Sequence, residues 1–176
     1  MRFIALTFVG FFLAVTAAAA ELSDARNFYQ YSESVLTAGQ PTEEQLKSAG
    51  AAGVEVVISV VPPSESVYNP QQGDILAKQG IEYIHVPVNW RAPDDASFDA
   101  FMAAMDRVGD RKVLVHCWAN ARASALVYAH RVLSAPYTQP HEFETLRSVW
   151  SDVAGYNLDA DTTWQNYLAD NIARVQ

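Results

Sequence analysis

The chain has 176 residues and carries 12 basic against 20 acidic side chains, a formal net charge of −8. A chain this acidic lacks the clustered Lys and Arg that a nucleic-acid backbone demands, so nucleic acid is excluded as a partner. Its one cysteine, Cys117, cannot form a disulfide within the chain.

Arg2 followed by the apolar run Phe3 to Val15 and the small residues Ala18-Ala19-Ala20 has the layout of a cleavable secretory signal, cut after Ala20. The alternative, a membrane anchor, would need about 20 apolar residues, and this run is shorter. The expected location is therefore periplasmic or secreted, with no stable membrane insertion once the signal is removed. Removing the first 20 residues leaves 156, enough for one domain with a core of its own. Losing Arg2 leaves 11 basic against 20 acidic side chains, a net charge of −9.

Asn27 to Ala38 reads as a short strand entering the fold. Gly39-Gln40-Pro41 is a turn, and Thr42 with Gln45 three residues on forms a capping box for a helix running to about Ala49, ended by Gly50 or Gly53. Val54 to Val61 is a β-branched apolar run, the pattern of a strand buried on both faces, and Pro62-Pro63 stops it. Pro70 suits the first turn of a helix to Gln79, with Gly80 as terminator.

Ile81 to Val88 is the next predicted strand. A loop from Asn89 to Asp95 leads into an amphipathic helix with Phe98, Phe101, Met102 and Met105 on its apolar side. Lys112 to His116 is a strand that passes into a helix from Ala123 to Leu133. Helices are predicted for Pro140 to Val153 and Thr162 to Val175, with Trp150 and Trp164 spaced as core residues. Alternating strands and helices imply an α/β fold with a mostly parallel central sheet flanked by helices on both faces. In such sheets ligands sit beyond the carboxyl ends of the strands, where His116 and Cys117 fall.

The segment His116-Cys117-Trp118-Ala119-Asn120-Ala121-Arg122-Ala123-Ser124 is the candidate site. Amides at a helix N-terminus have no intrahelical partner, and the helix dipole adds positive charge there. A loop curling its amides toward one point cradles a tetrahedral anion. Arg122 closes the cradle with a forked guanidinium, and Cys117 sits at its base. The same positive field favours thiolate over thiol. Ser124 is placed to donate a hydrogen bond to the sulfur, and His116 either braces the loop through the backbone or is a satisfied core histidine. Asn120 is the residue best able to replace glycine at a positive φ. His85, His130 and His141 have no metal-binding spacing.

HCWANARAS resembles the signature loop of the cysteine-dependent protein tyrosine and dual-specificity phosphatases, which reads His-Cys, a short loop, Arg, then Ser or Thr. LTAGQPTEEQLKSAGAAGVEVVISV and YIHVPVNWRAPDDASFDAFMAAM resemble the bacterial phosphatase-like domain found also in beta-lactamase-hydrolase-like proteins. The likeness covers roughly Ser34 to Leu133. It implies a protein-tyrosine-phosphatase-like fold with Cys117 as the nucleophile forming a phosphocysteine. It makes Arg122 the phosphate clamp, with Trp118, Ala119, Asn120 and Ala121 in the phosphate-binding loop. Ser124 becomes the hydroxyl assisting thiolate departure. No metal or organic cofactor is implied, and the expected substrate is a phosphorylated protein or a small phosphate ester.

The sequence departs from that pattern in three places. Four residues separate Cys117 from Arg122 where the usual spacing is five, a short form found both in the narrower phosphatase-like group this sequence resembles and in rhodanese sulfurtransferases. The loop has no glycine. The position expected to hold the general acid falls at Asn89 or Trp90, which leaves Asp94 and Asp95 on the same loop as candidates, although both also suit a helix start. Three readings follow: a phosphate-monoester hydrolase, an oxyanion-binding pseudophosphatase that lacks the acid, and a sulfurtransferase carrying a persulfide on Cys117. Arg91 either reaches the mouth of the site or is a solvated surface arginine. Trp118 is a pocket wall or packs beneath it.

Overall fold

The computed structural model describes residues 21–134 and 139–176. The expected signal, residues 1–20, lies outside them. A five-stranded sheet runs in the order β1-β2-β5-β3-β4, from β1 (Tyr29–Gln30), β2 (Val35–Ala38), β3 (Val56–Ser59), β4 (Glu82–His85) and β5 (Val113–His116). The last four are mutually parallel, and only the short edge strand β1 is antiparallel, to β2. The sheet is thus mostly parallel, as the alternation of elements implies. Asn27 to Ala38 differs from expectation: it is a hairpin, with Tyr31 N bonding Val35 O at 2.9 Å, rather than one strand.

β5 lies between β2 and β3, and its four residues are fully buried. Its side chains alternate between two cores, as the pleat requires. Val113 and Val115 join Val56 and Ile58 in the larger core, which also holds Phe98, Phe101, Leu126, Trp150 and Trp164. Leu114 and Val57 join Leu46, Ile75 and Leu76 on the opposite face. The smaller core is covered by α1 (Glu43–Lys47) and α2 (Gln72–Ala77). The larger is covered by α3 (Asp95–Val108), α4 (Ala121–Leu133), α5 (Gln139–Ser148) and α6 (Thr162–Val175).

Local sequence signals place several ends correctly. Thr42 and Gln45 form both halves of the expected capping box, a motif in which the cap alone contributes about 1 kcal/mol. Gly80, at φ 74°, ends the α2 segment in the left-handed region. α6 spans the residues expected of it. Strands β3 and β4 are shorter than their apolar runs, although backbone bonds continue past them, from Val60 N to His116 O at 3.0 Å and from Val88 N to Val60 O at 3.1 Å. The expected helix from Pro140 to Val153 gives way at Val149–Ala154 to a π-helical turn ended by Gly155 at φ 74°.

α4 begins at Ala121, two residues before the expected start, and is buried all round from Ala121 to Ala129. It is a central helix beneath the sheet rather than an amphipathic surface one. The register aligns the carboxyl ends of β2, β3, β4 and β5: Ala38 and Ser59 both pair with His116, and Ser59 pairs with His85. The segments leaving these ends build the site. Among the described residues no helix is long and apolar enough to cross a membrane.

Candidate active site

Cys117 follows β5 directly and is buried. Its N–H extends the sheet by donating to Ala38 O at 3.2 Å, so it takes no part in a cradle. Gln40 N donates to Trp118 O at 3.0 Å, and Gly39 bridges Ala119. The loop is therefore sewn to the turn after β2. This close approach explains Gly39: a Cβ there would lie 2.7 Å from Trp118 O and 3.0 Å from Arg26 O.

Asn120 takes the left-handed conformation, φ 73°, as expected of the residue replacing glycine. Its amide holds it there by donating to Asn27 O at 2.6 Å, while Asn27, itself at φ 52°, returns a bond to Ala119 O at 3.0 Å. This reciprocal asparagine pair locks the loop where a glycine would only permit it. Ala121, Arg122 and Ala123 then open α4, and their amides have no carbonyl four residues back in a helix to bond.

Ser124, expected to face the sulfur, directs its hydroxyl to Asn120 O at 2.7 Å and Ala121 O at 3.1 Å. A buried hydroxyl in the first helical turn finds the carbonyl four residues back more readily than a neighbouring side chain. His116, expected either to brace the loop or to be a satisfied core histidine, has no hydrogen-bond partner on either ring nitrogen. Burial pushes its pKa down to about 3, so the ring is a neutral core side chain beneath the loop.

Arg122 is 3% exposed. Its two terminal nitrogens reach the carboxylate oxygens of Glu65 at 2.7 and 2.6 Å, and Nη1 also donates to Val88 O at 2.8 Å. Burial alone would lower the guanidinium's pKa. The hydrogen bond and charge of Glu65, with a contribution from the neighbouring Cys117, outweigh it and hold it above its ordinary value. A forked pair fixes the plane of the guanidinium as well as its charge. Glu65 was not singled out from the sequence. The available signal was its position: a carboxylate in the loop leaving a parallel strand, facing an arginine that needs a counter-charge once buried.

These residues form the floor of a cavity of about 590 Å³ whose walls come from the segments after β3, β4 and β5 and from Tyr156 after the π-helical turn. Trp118 is a wall at the mouth, 46% exposed, rather than packing beneath the loop. Arg91 borders the cavity and is exposed, which fits both of its readings.

The loop at the expected acid position is fixed by tryptophans. The Trp90 ring lies 5.2 Å from that of Trp164 and 5.7 Å from that of Trp150. Trp164 Nε1 donates to Trp90 O at 3.0 Å, and Trp150 Nε1 donates to Ala121 O at 3.1 Å. Two buried side chains of the C-terminal segment thus tie down both loops that face each other across the cavity. Asn89 forms a turn, accepting from Arg91 N at 2.9 Å.

The two candidate aspartates part company. Asp94 borders the cavity while capping α3 through Ser97 N at 2.7 Å. Asp95 is drawn toward α6 by Asn171 Nδ2 at 3.2 Å and does not border the cavity.

A buried thiol, a fixed guanidinium and the unpaired amides of a helix start lie together beneath one opening, an arrangement able to receive an oxyanion. No family model matches the sequence, and no curated protein matches it, but solved structures do. The chain is 31% identical to a DUF442 protein from Shewanella putrefaciens CN-32, described as a candidate phosphatase. The two superpose with a TM-score of 0.74 over 88% of this chain and 96% of that one. Tk-PTP in its active form is 20% identical, with a TM-score of 0.63 over 90% of this chain and 99% of that one. The core catalytic domain of the PP-IP phosphatase SIW14 from S. cerevisiae is 17% identical, with a TM-score of 0.63 over 86% and 91%. These last two speak to the fold. The chain belongs to the cysteine-dependent protein tyrosine and dual-specificity phosphatase superfamily, in the family of the DUF442 protein.

Proposed function

We propose that the protein is an exported hydrolase of phosphate monoesters that works through a phosphocysteine on Cys117. The observation that carries this reading is the placing of Cys117 at the floor of the cavity beside Arg122, whose guanidinium Glu65 holds in one plane. The Cys117 thiolate attacks phosphorus, and the ester oxygen leaves with a proton from Asp94, the candidate acid on the cavity wall. Arg122 and the amides from Trp118 to Ala121 hold the equatorial oxygens, where charge builds in the transition state. Water then attacks phosphorus, the S–P bond breaks, and inorganic phosphate departs with the thiolate restored. For Ser124 to assist that departure its hydroxyl must turn from Asn120 O to the sulfur.

The test is turnover of phenyl phosphate and p-nitrophenyl phosphate by wild type, Cys117→Ser and Arg122→Lys. Cys117→Ser is expected to abolish turnover while still binding vanadate. Arg122→Lys is expected to lose most activity, since an ammonium cannot reproduce a two-pronged contact. Wild-type protein that binds vanadate and turns over no monoester would instead establish the pseudophosphatase reading. The capping of α3 by Asp94 is the observation that favours this second reading, because it occupies one carboxylate oxygen.

Export is tested separately. Protein recovered from its native host is expected to begin at Glu21 or within a residue or two, by N-terminal sequencing. Soluble protein retaining Met1 would refute export without touching the chemistry.

A further inference from the structure

In so acidic a chain, arginines find carboxylates easily, and most here have done so. Arg107, Arg111, Arg122, Arg131, Arg147 and Arg174 each pair with an Asp or Glu. Among the described arginines two have no such partner, Arg26 and Arg91, and Trp118 links both to the same cavity. Arg91 borders it. Arg26 lies with its guanidinium 5.3 Å from the ring centroid of Trp118, which also borders it. Stacking uses the face of a guanidinium and leaves its N–H edge free for an anion.

Both arginines stand on fixed backbone. Arg26 O accepts from Gly39 N at 2.6 Å, and the adjacent Asn27 exchanges bonds with Ala119 and Asn120. Arg91 N is held by Asn89, and the neighbouring Trp90 is anchored by Trp164. Unlike arginines on mobile surface loops, these two start from positions set by the catalytic loop and by the loop that faces it.

The charge at the floor is already matched. Glu65 balances Arg122, and the loop amides serve the scissile phosphate. Two further unpaired cations beside the cavity therefore exceed what one phosphate requires. Resting on the phosphatase reading above, we infer that the preferred substrate is a phosphate monoester whose leaving group carries a second anionic group, received by Arg26 and Arg91 across the Trp118 ring. That chemistry is shared by small bisphosphates and by phosphopeptides with an acidic neighbour.

The experiment compares matched pairs. One arm sets fructose 1,6-bisphosphate against fructose 6-phosphate. The other sets a phosphotyrosine peptide flanked by glutamates against the same peptide flanked by alanines. For each pair the ratio of kcat/KM is measured in wild type and in Arg26→Gln/Arg91→Gln. A ratio near tenfold is expected in one arm, the size of two exposed charge pairs together, falling toward one in the double variant and at high salt. The arm that shows it identifies the source of the second anion.

Protection of Cys117 from iodoacetamide by the same compounds, read by mass spectrometry, gives the ratio without turnover. If no monoester is hydrolysed but protection still favours the doubly charged members through the two arginines, the phosphatase reading fails and the anion subsite stands. Turnover with ratios near one in both arms overturns the subsite and leaves the phosphatase intact. A preference that survives the double replacement also overturns it.

Discussion

Asp94 and Asp95 are adjacent in sequence and chemically identical, yet the structure separates them. Asp94 faces the cavity, and Asp95 faces Asn171 on α6. Replacing Asp94 with Asn is expected to slow phenyl phosphate, a poor leaving group, by about 10²–10⁴, the usual worth of general acid catalysis. p-Nitrophenyl phosphate, whose leaving group needs little protonation, should barely change. Asn is as good a helix cap as Asp, so thermal stability should hold and the effect can be read as chemistry. Asp95→Asn should leave both substrates alone. Equal rates for both substrates in Asp94→Asn, relative to wild type, would remove the acid from this loop and limit the enzyme to activated esters.

Among elements, the decisive contact is between the turn after β2 and the cysteine loop, which meet backbone to backbone. A methyl at residue 39 would press on Trp118 O and Arg26 O, neither of which is a side chain able to swing aside. Gly39→Ala is expected to cost about 1–3 kcal/mol of stability, the range for overpacking. It should also displace Trp118 and Ala119 and lower kcat/KM on every monoester. Urea unfolding and steady-state kinetics on the same preparation check both halves. Unchanged activity with lowered stability would mean that the loop holds its shape without this contact. The asparagine pair, Asn27 with Asn120, and the π-helical turn that brings Trp150 to Ala121 serve the same end from other directions. All three join segments far apart in sequence, so local pattern could not announce them.

For the molecule as a whole, the buried neutral His116 couples stability to pH. Its pKa falls from 6.5 to about 3 through burial. Between those values the unfolded imidazole binds a proton that the folded one does not, so stability is full above pH 6.5 and is lost as pH falls toward 3. The slope is at most about 1.4 kcal/mol per pH unit from this one group. Urea midpoints at pH 7.5 and 5 should drop more for wild type than for His116→Gln, which has no proton to take up. Equal drops would place the pH sensitivity elsewhere.

The sequence by itself determined the α/β class, the mostly parallel sheet, the capping box at Thr42, the full extent of α6 and the position of Cys117 at a strand's carboxyl end. It also determined the loop that carries Cys117 and Arg122, and the left-handed role of Asn120. These rest on local periodicity and on the φ preferences of single residues, which act over a few positions of chain. Only the tertiary structure decided that Glu65 holds Arg122, that Gly39 must lack a side chain, and that Asp94 rather than Asp95 meets the cavity. Each of these is set by a partner some tens of residues distant, or by the direction in which a helix rolls as it packs. Such choices depend on burial and on the supply of hydrogen-bond partners once the sheet has closed, and no local window of sequence contains them.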